Sequence, residues 1–155
     1  MLEKIREWLT AESIEFKEVH HEITKTSEES AMARGEDILI GGKALVVKVN
    51  DSFKILVLSA AKKLNSPAVK KYFSSKKMRF ASKDELFELT GLVPGCVPPF
   101  GNPVIDLDLY VDDSILNNEK IAFNAGSLTD SIVMKREDYI ALAKPTVFSF
   151  SLEAN

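Results

Sequence analysis

The sequence predicts a mixed α/β fold of the α+β class, in which helices flank a central mixed and largely antiparallel β-sheet. Two observations lead to this prediction. Apolar, β-rich runs are separated by turn residues, which is typical of hairpins, and segments with helical periodicity or capping patterns lie between them. A chain of 155 residues with 45% apolar content suits one core, so we expect a single domain over residues 1–155.

The N-terminal quarter predicts a helix, a strand and a second helix. The apolar residues of the first helix recur at helical spacing; they are Leu2, Ile5, Trp8 and Leu9. Alternation over residues 14–21 predicts the strand. Thr26 stands three residues before Glu29 in a capping-box pattern, and the helix that it begins should end at Gly35.

The middle of the chain begins with two β-rich runs, KALVVKV and FKILVL, separated by turn residues at positions 50–52. This pattern predicts a hairpin. Ser66-Pro67 predicts the start of a helix, because proline fits the first helical turn. A short strand is expected at Met78–Phe80.

A second capping box, Ser82 with Glu85, predicts a helix that Gly91 can end. The next segment, Gly91–Pro103, has seven glycines or prolines among thirteen residues, so we expect a loop there. The remaining predicted elements are strands at Val104–Val111, Lys120–Asn124 and Ser131–Met134, a helix at Arg136–Lys144, and a terminal strand over residues 148–152.

Charge and cysteine content narrow the classes of function. The net charge of −3 excludes a uniformly basic nucleic-acid protein, and we expect no DNA partner. The single cysteine excludes an intrachain disulfide and a four-cysteine zinc site. Charges interrupt the N-terminal segment and the apolar runs are short, so we expect neither a signal peptide nor a membrane partner, and a cytoplasmic location.

The Gly/Pro loop and Lys43 are the first candidates for chemistry. Glycines allow close approach of the backbone to a ligand and prolines restrict the loop, so backbone N–H groups there could bind a carbonyl oxygen or a carboxylate. Lys43 lies between a glycine pair and an apolar strand, where an ammonium could reach a phosphate or an ester carbonyl. A structural crossover loop and a solvated lysine are the alternatives.

Histidine and cysteine provide two further candidates. Adjacent residues of a strand point to opposite faces, so His20 and His21 would be poor ligands for one metal ion, and we expect no metal and no cofactor. Cys96 lies within the Gly/Pro loop and could form a thiol nucleophile with a histidine.

The segment from Lys62 to Arg79 has seven basic residues and no acidic residue. In a chain of net negative charge, this excess predicts a contact surface for a phosphate backbone; a solvated helix face is the alternative. The candidate residues for this contact are Lys62, Lys63, Lys70, Lys71, Lys76, Lys77 and Arg79.

Taken in order, four segments resemble the YbaK/aminoacyl-tRNA deacylase family, which is similar to the insertion (editing) domain of bacterial prolyl-tRNA synthetases. These segments are HEITKTSEESA from His21, GGKALVVKV around Lys43, LFELTGLVPGCVPPFG, and AFNAGS near Gly126. The resemblance covers residues 14–139. Its most specific feature is a lysine at the head of the hairpin, followed about fifty residues later by a GxxxP element at Gly95–Pro99.

The resemblance implies an enzyme that acts in trans on mischarged tRNA and hydrolyses the ester of a small amino acid such as alanine, serine, threonine, proline or cysteine. Lys43 would match the functional lysine of the family, and Gly95 belongs with it as a catalytic candidate. The candidate substrate-binding residues are His21, Cys96, Val97, Pro98, Pro99, Gly101, Gly126 and Ser131. Glu22 follows His21 where the family has proline.

The sequence shows no evident general base, so we expect substrate-assisted hydrolysis, in which a ribose hydroxyl of the tRNA helps to activate the water. Mischarged tRNA is the expected partner, with an aminoacyl-tRNA synthetase as a second one. The alternatives are a binding module of the same fold that holds tRNA or a synthetase without hydrolysis, a thiol hydrolase that uses Cys96, and a regulatory domain that binds free amino acid.

Overall fold

The computed structural model describes residues 1–154, which form six α-helices, one 3-10 turn at Ile38–Ile40 and ten strands. The helices are α1 (Leu2–Ala11), α2 (Ser27–Arg34), α3 (Ser66–Tyr72), α4 (Lys83–Thr90), α5 (Asp113–Leu116) and α6 (Arg136–Ala143). The strands are β1 (Phe16–His20), β2 (Gly42–Val49), β3 (Ser52–Ser59), β4 (Lys62–Leu64), β5 (Met78–Phe80), β6 (Asp108–Val111), β7 (Lys120–Asn124), β8 (Asp130–Lys135), β9 (Thr146–Val147) and β10 (Ser151–Glu153).

A five-stranded mixed sheet, in the order β5-β2-β3-β6-β9, forms the centre of the molecule. The predicted hairpin is its longest pair, with β2 and β3 antiparallel along their whole length. Asn50 and Asp51 turn the chain with φ values of 52° and 59°, as a tight hairpin turn requires. β6 is parallel to β3, and β9 is parallel to β6, which makes the sheet mixed.

The other strands form two smaller antiparallel sheets, β1-β8-β7 and β10-β4. An isolated parallel bridge between Gly41 and Ala122 joins the three-stranded sheet to the start of β2. The mixed, largely antiparallel fold is therefore confirmed, with its strands divided among three sheets.

Alternate residues of β3 face two different cores. Ile55 and Val57 belong to a large apolar cluster that also takes in α1, α4, α6 and the three-stranded sheet. Leu56 and Leu58 belong to a smaller cluster with Val69 and Phe150 on the other side. Burial on both faces explains why β3 is almost continuously apolar.

Both capping boxes predicted for the helices are confirmed. Thr26 and Ser82 each accept a hydrogen bond from the backbone N–H three residues later, and the carboxylate of the glutamate there accepts one from the N–H of the capping residue. Gly35 and Gly91 end these helices in the left-handed conformation, at φ values of 70° and 72°. Glycine takes this conformation without the steric cost that a Cβ imposes.

Two predicted strands need correction. Residues 104–107 form turns, because the Gly101 carbonyl accepts hydrogen bonds from the N–H groups of Val104 and Ile105, and β6 begins only at Asp108. The terminal strand over residues 148–152 is interrupted where Phe150 N–H donates to the Asp112 carboxylate. β9 and β10 consequently pair with different strands. β4, α5 and the 3-10 turn were not predicted from the sequence.

Within residues 1–154, no helix has both the length and the apolar character needed to cross a membrane.

Candidate active site

A cavity of about 370 Å³ opens where α2, the start of β2 and the Gly/Pro loop meet. Three cationic side chains line it, those of Lys25, Arg34 and Lys43, and none of its lining residues is acidic. Small and polar residues from the turn before α2, from β7 and from the loop complete the wall. The cavity is therefore a positively charged compartment suited to a ligand with anionic oxygens.

Lys43 is the second residue of β2 and lines the cavity, and its side chain is half-buried. Its Nζ donates to the carbonyl of Lys62, at 2.5 Å. Burial lowers the pKa of the ammonium from its usual range, and the charge of Glu28 partly opposes that shift. The amine is thus fixed beside the cavity by one hydrogen bond, with two of its three donors available.

Gly95 brings the loop backbone to the same cavity. It has a φ of 89°, and a Cβ there would lie 3.2 Å from the Leu128 side chain, so glycine suits this position. The Gly95 carbonyl accepts a hydrogen bond from Asn124 Nδ2 at 2.8 Å. Among residues 1–154, the Gly95 N–H has no hydrogen-bond partner, which leaves it available to a ligand.

The Cys96 N–H is not available in the same way. It donates to the Val93 carbonyl at 3.1 Å and closes a turn within the loop. The Cys96 side chain is buried, and burial raises the pKa of its thiol. A raised pKa reduces the thiolate fraction at neutral pH, so the surroundings disfavour a nucleophilic thiol.

The end of the GxxxP element is anchored in the large core. The Phe100 ring makes edge contacts with Trp8, Phe123 and Tyr139, with ring centroids 5.3 to 5.4 Å apart. The buried Tyr139 hydroxyl donates to the Pro99 carbonyl at 2.6 Å. One anchor holds Pro99, the last residue of the element, and the other holds Phe100, which follows it, so the core fixes the end of the element opposite Gly95.

The candidate residues divide by their place around this cavity. Lys43, Gly95 and Val97 line it. Pro98 and Pro99 are buried residues of the loop that do not line the cavity, and Gly101 packs against the Leu107 carbonyl, where a Cβ would come within 2.7 Å. A Cβ on Gly126 would lie 2.4 Å from the Met1 side chain, so that glycine receives the N-terminus.

His21 and Ser131 lie one layer behind the cavity. His21 Nε2 is 2.9 Å from Ser131 Oγ, and Ser131 Oγ also accepts from Arg34 Nε at 2.9 Å. His20 instead faces outward, beside the carboxylates of Asp130 and Glu18. The two histidines are thus separated, as expected for neighbours on one strand.

Arg34 and Asn124 line the cavity but were not singled out from the sequence. A signal for Arg34 existed: it lies three and four positions after Ala31 and Ser30, which places all three on the buried side of α2. An arginine on the buried side of a helix is unusual enough to suggest a function.

The basic segment does not form one surface. Lys70, Lys76, Lys77 and Arg79 line a second cavity of about 720 Å³, together with Lys48 from the end of β2. Arg79 is paired there with Glu85, at 2.7 and 2.9 Å. The remaining basic residues lie elsewhere: Lys62 pairs with Glu153, Lys63 belongs to β4, and exposed Lys71 lies in α3.

Comparison with known proteins gives a consistent result. The sequence profile of a family described as the aminoacyl-tRNA editing domain matches residues 21–142. The chain is 33% identical over 148 residues to the multifunctional Ser/Thr-tRNA deacylase ProXp-y of Escherichia coli (strain K12), covering 92% of this chain and 87% of that protein.

Two further similarities are more limited. The proline–tRNA ligase of Shouchella clausii (strain KSM-K16) is 36% identical over 101 residues, which are 65% of this chain but only 18% of the ligase. A crystal structure provisionally assigned as a trans-editing enzyme for prolyl-tRNA synthetase superposes with a TM-score of 0.85, covering 97% of this chain and 96% of the other. At 22% identity, this likeness shows a common fold.

Proposed function

The chain belongs to the aminoacyl-tRNA editing domain family, and we propose that it is a trans-editing deacylase, which hydrolyses the ester of tRNA mischarged with a small amino acid. The relative of 33% identity is named for its action on Ser- and Thr-tRNA. We therefore place serine and threonine first among the small residues alanine, serine, threonine, proline and cysteine. The activity belongs in the cytoplasm, where aminoacyl-tRNA is made.

The observation that carries the proposal is the meeting of Lys43 and Gly95 at one positively charged cavity. An aminoacyl ester is already activated, so a site needs mainly to orient it, to bind the developing oxyanion and to place a water. Lys43 would hold an anionic oxygen of the acceptor end. The unpartnered Gly95 N–H would donate to the ester carbonyl as it becomes an oxyanion.

The water would be activated by the substrate itself. No aspartate, glutamate or histidine lines the cavity, so the lining offers no carboxylate or imidazole as a general base. A neighbouring ribose hydroxyl of the terminal adenosine would accept a hydrogen bond from the water as it attacks the carbonyl carbon. The ester C–O bond then breaks: the water oxygen stays on the acyl carbon as part of the amino acid's carboxyl group, and the ribose oxygen takes the proton that the water lost and leaves as a free hydroxyl.

The tRNA would also contact the second cavity. Lys43 and Lys48 are five residues apart on β2, so they lie about 17 Å apart along the strand and their side chains point to opposite faces of it. A phosphate backbone that leaves the first cavity would pass around the end or edge of the sheet to reach Lys48, Lys70, Lys76 and Lys77. A synthetase that presents the mischarged tRNA would be a second partner.

Deacylation of a panel of charged tRNAs tests the proposal. We expect rapid hydrolysis of Ser-tRNA or Thr-tRNA by the wild-type chain, and little hydrolysis when the terminal adenosine lacks the assisting hydroxyl. Lys17, an exposed residue of β1, provides a control in Lys17→Ala, which should keep full activity. If no member of the panel is hydrolysed while tRNA still binds, the chain is a binding module.

A further inference from the structure

Arg34 is a buried cation for which the described residues supply no anion. Its side chain is 8% exposed, and it forms no ion pair with any carboxylate of residues 1–154. Its two hydrogen bonds go to neutral groups, from Nε to Ser131 Oγ at 2.9 Å and from Nη2 to Asn124 Oδ1 at 3.0 Å. A buried charge without a paired charge is costly, so its retention needs a reason.

The free end of this guanidinium faces the cavity. Nη1 donates to no group of the described residues. Every fully buried side-chain nitrogen of those residues has a hydrogen-bond partner, so Nη1 is not fully buried. Nη1 therefore remains accessible, and Arg34 is one of the lining residues. Nη1 lies beside Gly41, which also lines the cavity, because a Cβ at that position would be 3.6 Å from it.

The guanidinium remains charged in this place. Burial lowers the pKa of Arg34 to about 10, which is still well above neutral pH. Lys25 and Lys43 line the same cavity and no acidic residue does; the nearby charge of Glu28 acts on Lys43. Such a site favours an incoming anionic oxygen, and a guanidinium binds one with directed, charge-assisted hydrogen bonds.

We propose that Arg34 is a substrate-contacting residue, whose Nη1 binds an anionic oxygen of the aminoacylated 3′ end. This inference rests on the proposed function and adds a residue to it. The amino acid's own carboxylate is esterified, so two oxygens remain: one on the terminal phosphodiester and the oxyanion that forms as water attacks the ester. Asn124 and Ser131 hold the guanidinium toward either, while Asn124 also holds the Gly95 carbonyl.

The kinetic experiment compares Arg34→Gln and Arg34→Lys on two substrates, seryl-tRNA and 3′-seryl-adenosine, which lacks the phosphodiester. If Arg34 binds the phosphate, Arg34→Gln raises KM for seryl-tRNA about tenfold or more and leaves the nucleoside ester unaffected; Arg34→Lys restores part of the loss. If it binds the oxyanion, Arg34→Gln lowers kcat about a hundredfold on both substrates.

Arg136 provides the matched control, because it is a partly buried arginine that donates to the Asn118 carbonyl on another part of the fold. Arg136→Gln should leave kcat and KM unchanged. A folded Arg34→Gln variant with wild-type kcat and KM on both substrates overturns the proposal.

A measurement on the wild-type chain tests anion binding by Arg34 without any substitution. The Arg34 Nε–H resonance in an NMR titration should move with a CCA trinucleotide, or with a seryl-adenosine analogue that has a tetrahedral phosphonate in place of the ester. If neither probe moves it, Arg34 binds no anion of the acceptor end. Loss of the proposed function is seen separately, as absence of wild-type deacylation.

Discussion

Lys43 and Asp112 are both ionisable groups in packed surroundings, but only Lys43 faces a cavity. The Lys43 ammonium donates one hydrogen bond to a backbone carbonyl, and its other N–H groups can donate to a ligand. The Asp112 carboxylate is fully buried and accepts from the N–H groups of Ser114 and Phe150. The Lys43 ammonium is therefore suited to binding a ligand, whereas the Asp112 carboxylate joins the start of α5 to the C-terminal segment at Phe150.

Lys43→Ala should lower kcat/KM for the best aminoacyl-tRNA by about a hundredfold or more, because removing one preorganised donor from a reacting centre typically costs that much. Lys43→Arg should recover little, since a planar guanidinium does not reproduce the point charge of an ammonium. Single-turnover deacylation measures both variants, with Lys17→Ala as the control. Full activity in Lys43→Ala would rule out a catalytic role for this lysine.

Asp112→Asn should reduce the free energy of unfolding at pH 7 by about 1.5–3 kcal/mol, because hydrogen bonds to a charged acceptor are lost or weakened. Burial alone would raise the pKa of Asp112, but hydrogen bonds from Ser114, Phe150 and Ser151 outweigh burial and lower it. The stabilisation is therefore present above the unfolded-state pKa of about 4 and is lost as pH falls through the lower folded-state value.

Urea unfolding of wild type and Asp112→Asn between pH 7 and pH 2.5 measures this contribution. The difference between the two proteins should shrink below about pH 4, where the unfolded-state carboxyl begins to protonate. A difference that stays constant across this range would show that the charge of Asp112 adds nothing to stability.

At the scale of elements, the Gly/Pro loop shows how a segment without regular structure is held in place. Its C-terminal part is fixed by Phe100 in the aromatic cluster and by the hydrogen bond from Tyr139, while Asn124 of β7 holds Gly95. The core thus positions one wall of the cavity, and α2 and β2 provide the others.

Tyr139→Phe should lower both stability and activity. The variant leaves the buried Pro99 carbonyl without its donor, which costs about 1–3 kcal/mol, and frees the loop next to Gly95. We expect kcat to fall several-fold with little change in KM, because the loop is proposed to act on the developing oxyanion. Measurements of thermal unfolding and of kcat would check this. An unchanged kcat in a destabilised variant would show that the Tyr139 hydrogen bond stabilises the core but does not affect the function of the loop.

The two capping boxes offer a comparison between helices. Ser82→Ala and Thr26→Ala should each lower the free energy of unfolding by about 1 kcal/mol, because each leaves an N-terminal N–H of the helix unpaired. Only Thr26→Ala should also reduce deacylation, since Thr26 lines the cavity and Ser82 does not. Equal losses of deacylation activity in the two variants would mean that the loss follows from reduced stability and not from the position of Thr26 at the cavity.

At the scale of the whole molecule, a chain of net charge −3 keeps a locally positive face. The basic groove formed by Lys48, Lys70, Lys76, Lys77 and Arg79 lies at the opposite end of β2 from Lys43. Arg79 is neutralised by Glu85, so the lysines provide most of the groove's unpaired charge.

A Lys70→Glu/Lys76→Glu double variant should bind tRNA at least tenfold more weakly, with a reduced salt dependence of log Kd, since two phosphate contacts are lost. A Lys17→Glu/Lys144→Glu variant changes the net charge equally without touching the groove and should bind normally. Filter binding at several salt concentrations measures both. Equal weakening in the two variants would show that net charge, and not the groove, governs binding.

The sequence by itself determined the local elements and the family. Capping boxes, the hairpin turn and the Gly/Pro loop depend on a few neighbouring residues, so their patterns are visible in the chain. The position of Lys43 at the strand entry and the GxxxP element carried the resemblance, and the family match agrees with it. The predicted strands at Val104–Val111 and over residues 148–152 were wrong in part, at residues 104–107 and 148–150, because hydrogen bonds to the Gly101 carbonyl and to the Asp112 carboxylate replaced strand pairing there.

The tertiary structure decided which residues share the cavity. Arg34 of α2 and Asn124 of β7 both line the cavity, although they are 90 positions apart in the sequence. It also showed that the Cys96 N–H already donates within the loop, and that the basic segment divides between a groove, an ion pair of Lys62 with Glu153, and Lys63 and Lys71 outside the groove. These facts depend on long-range packing and on the direction of side chains, which local residue patterns do not encode.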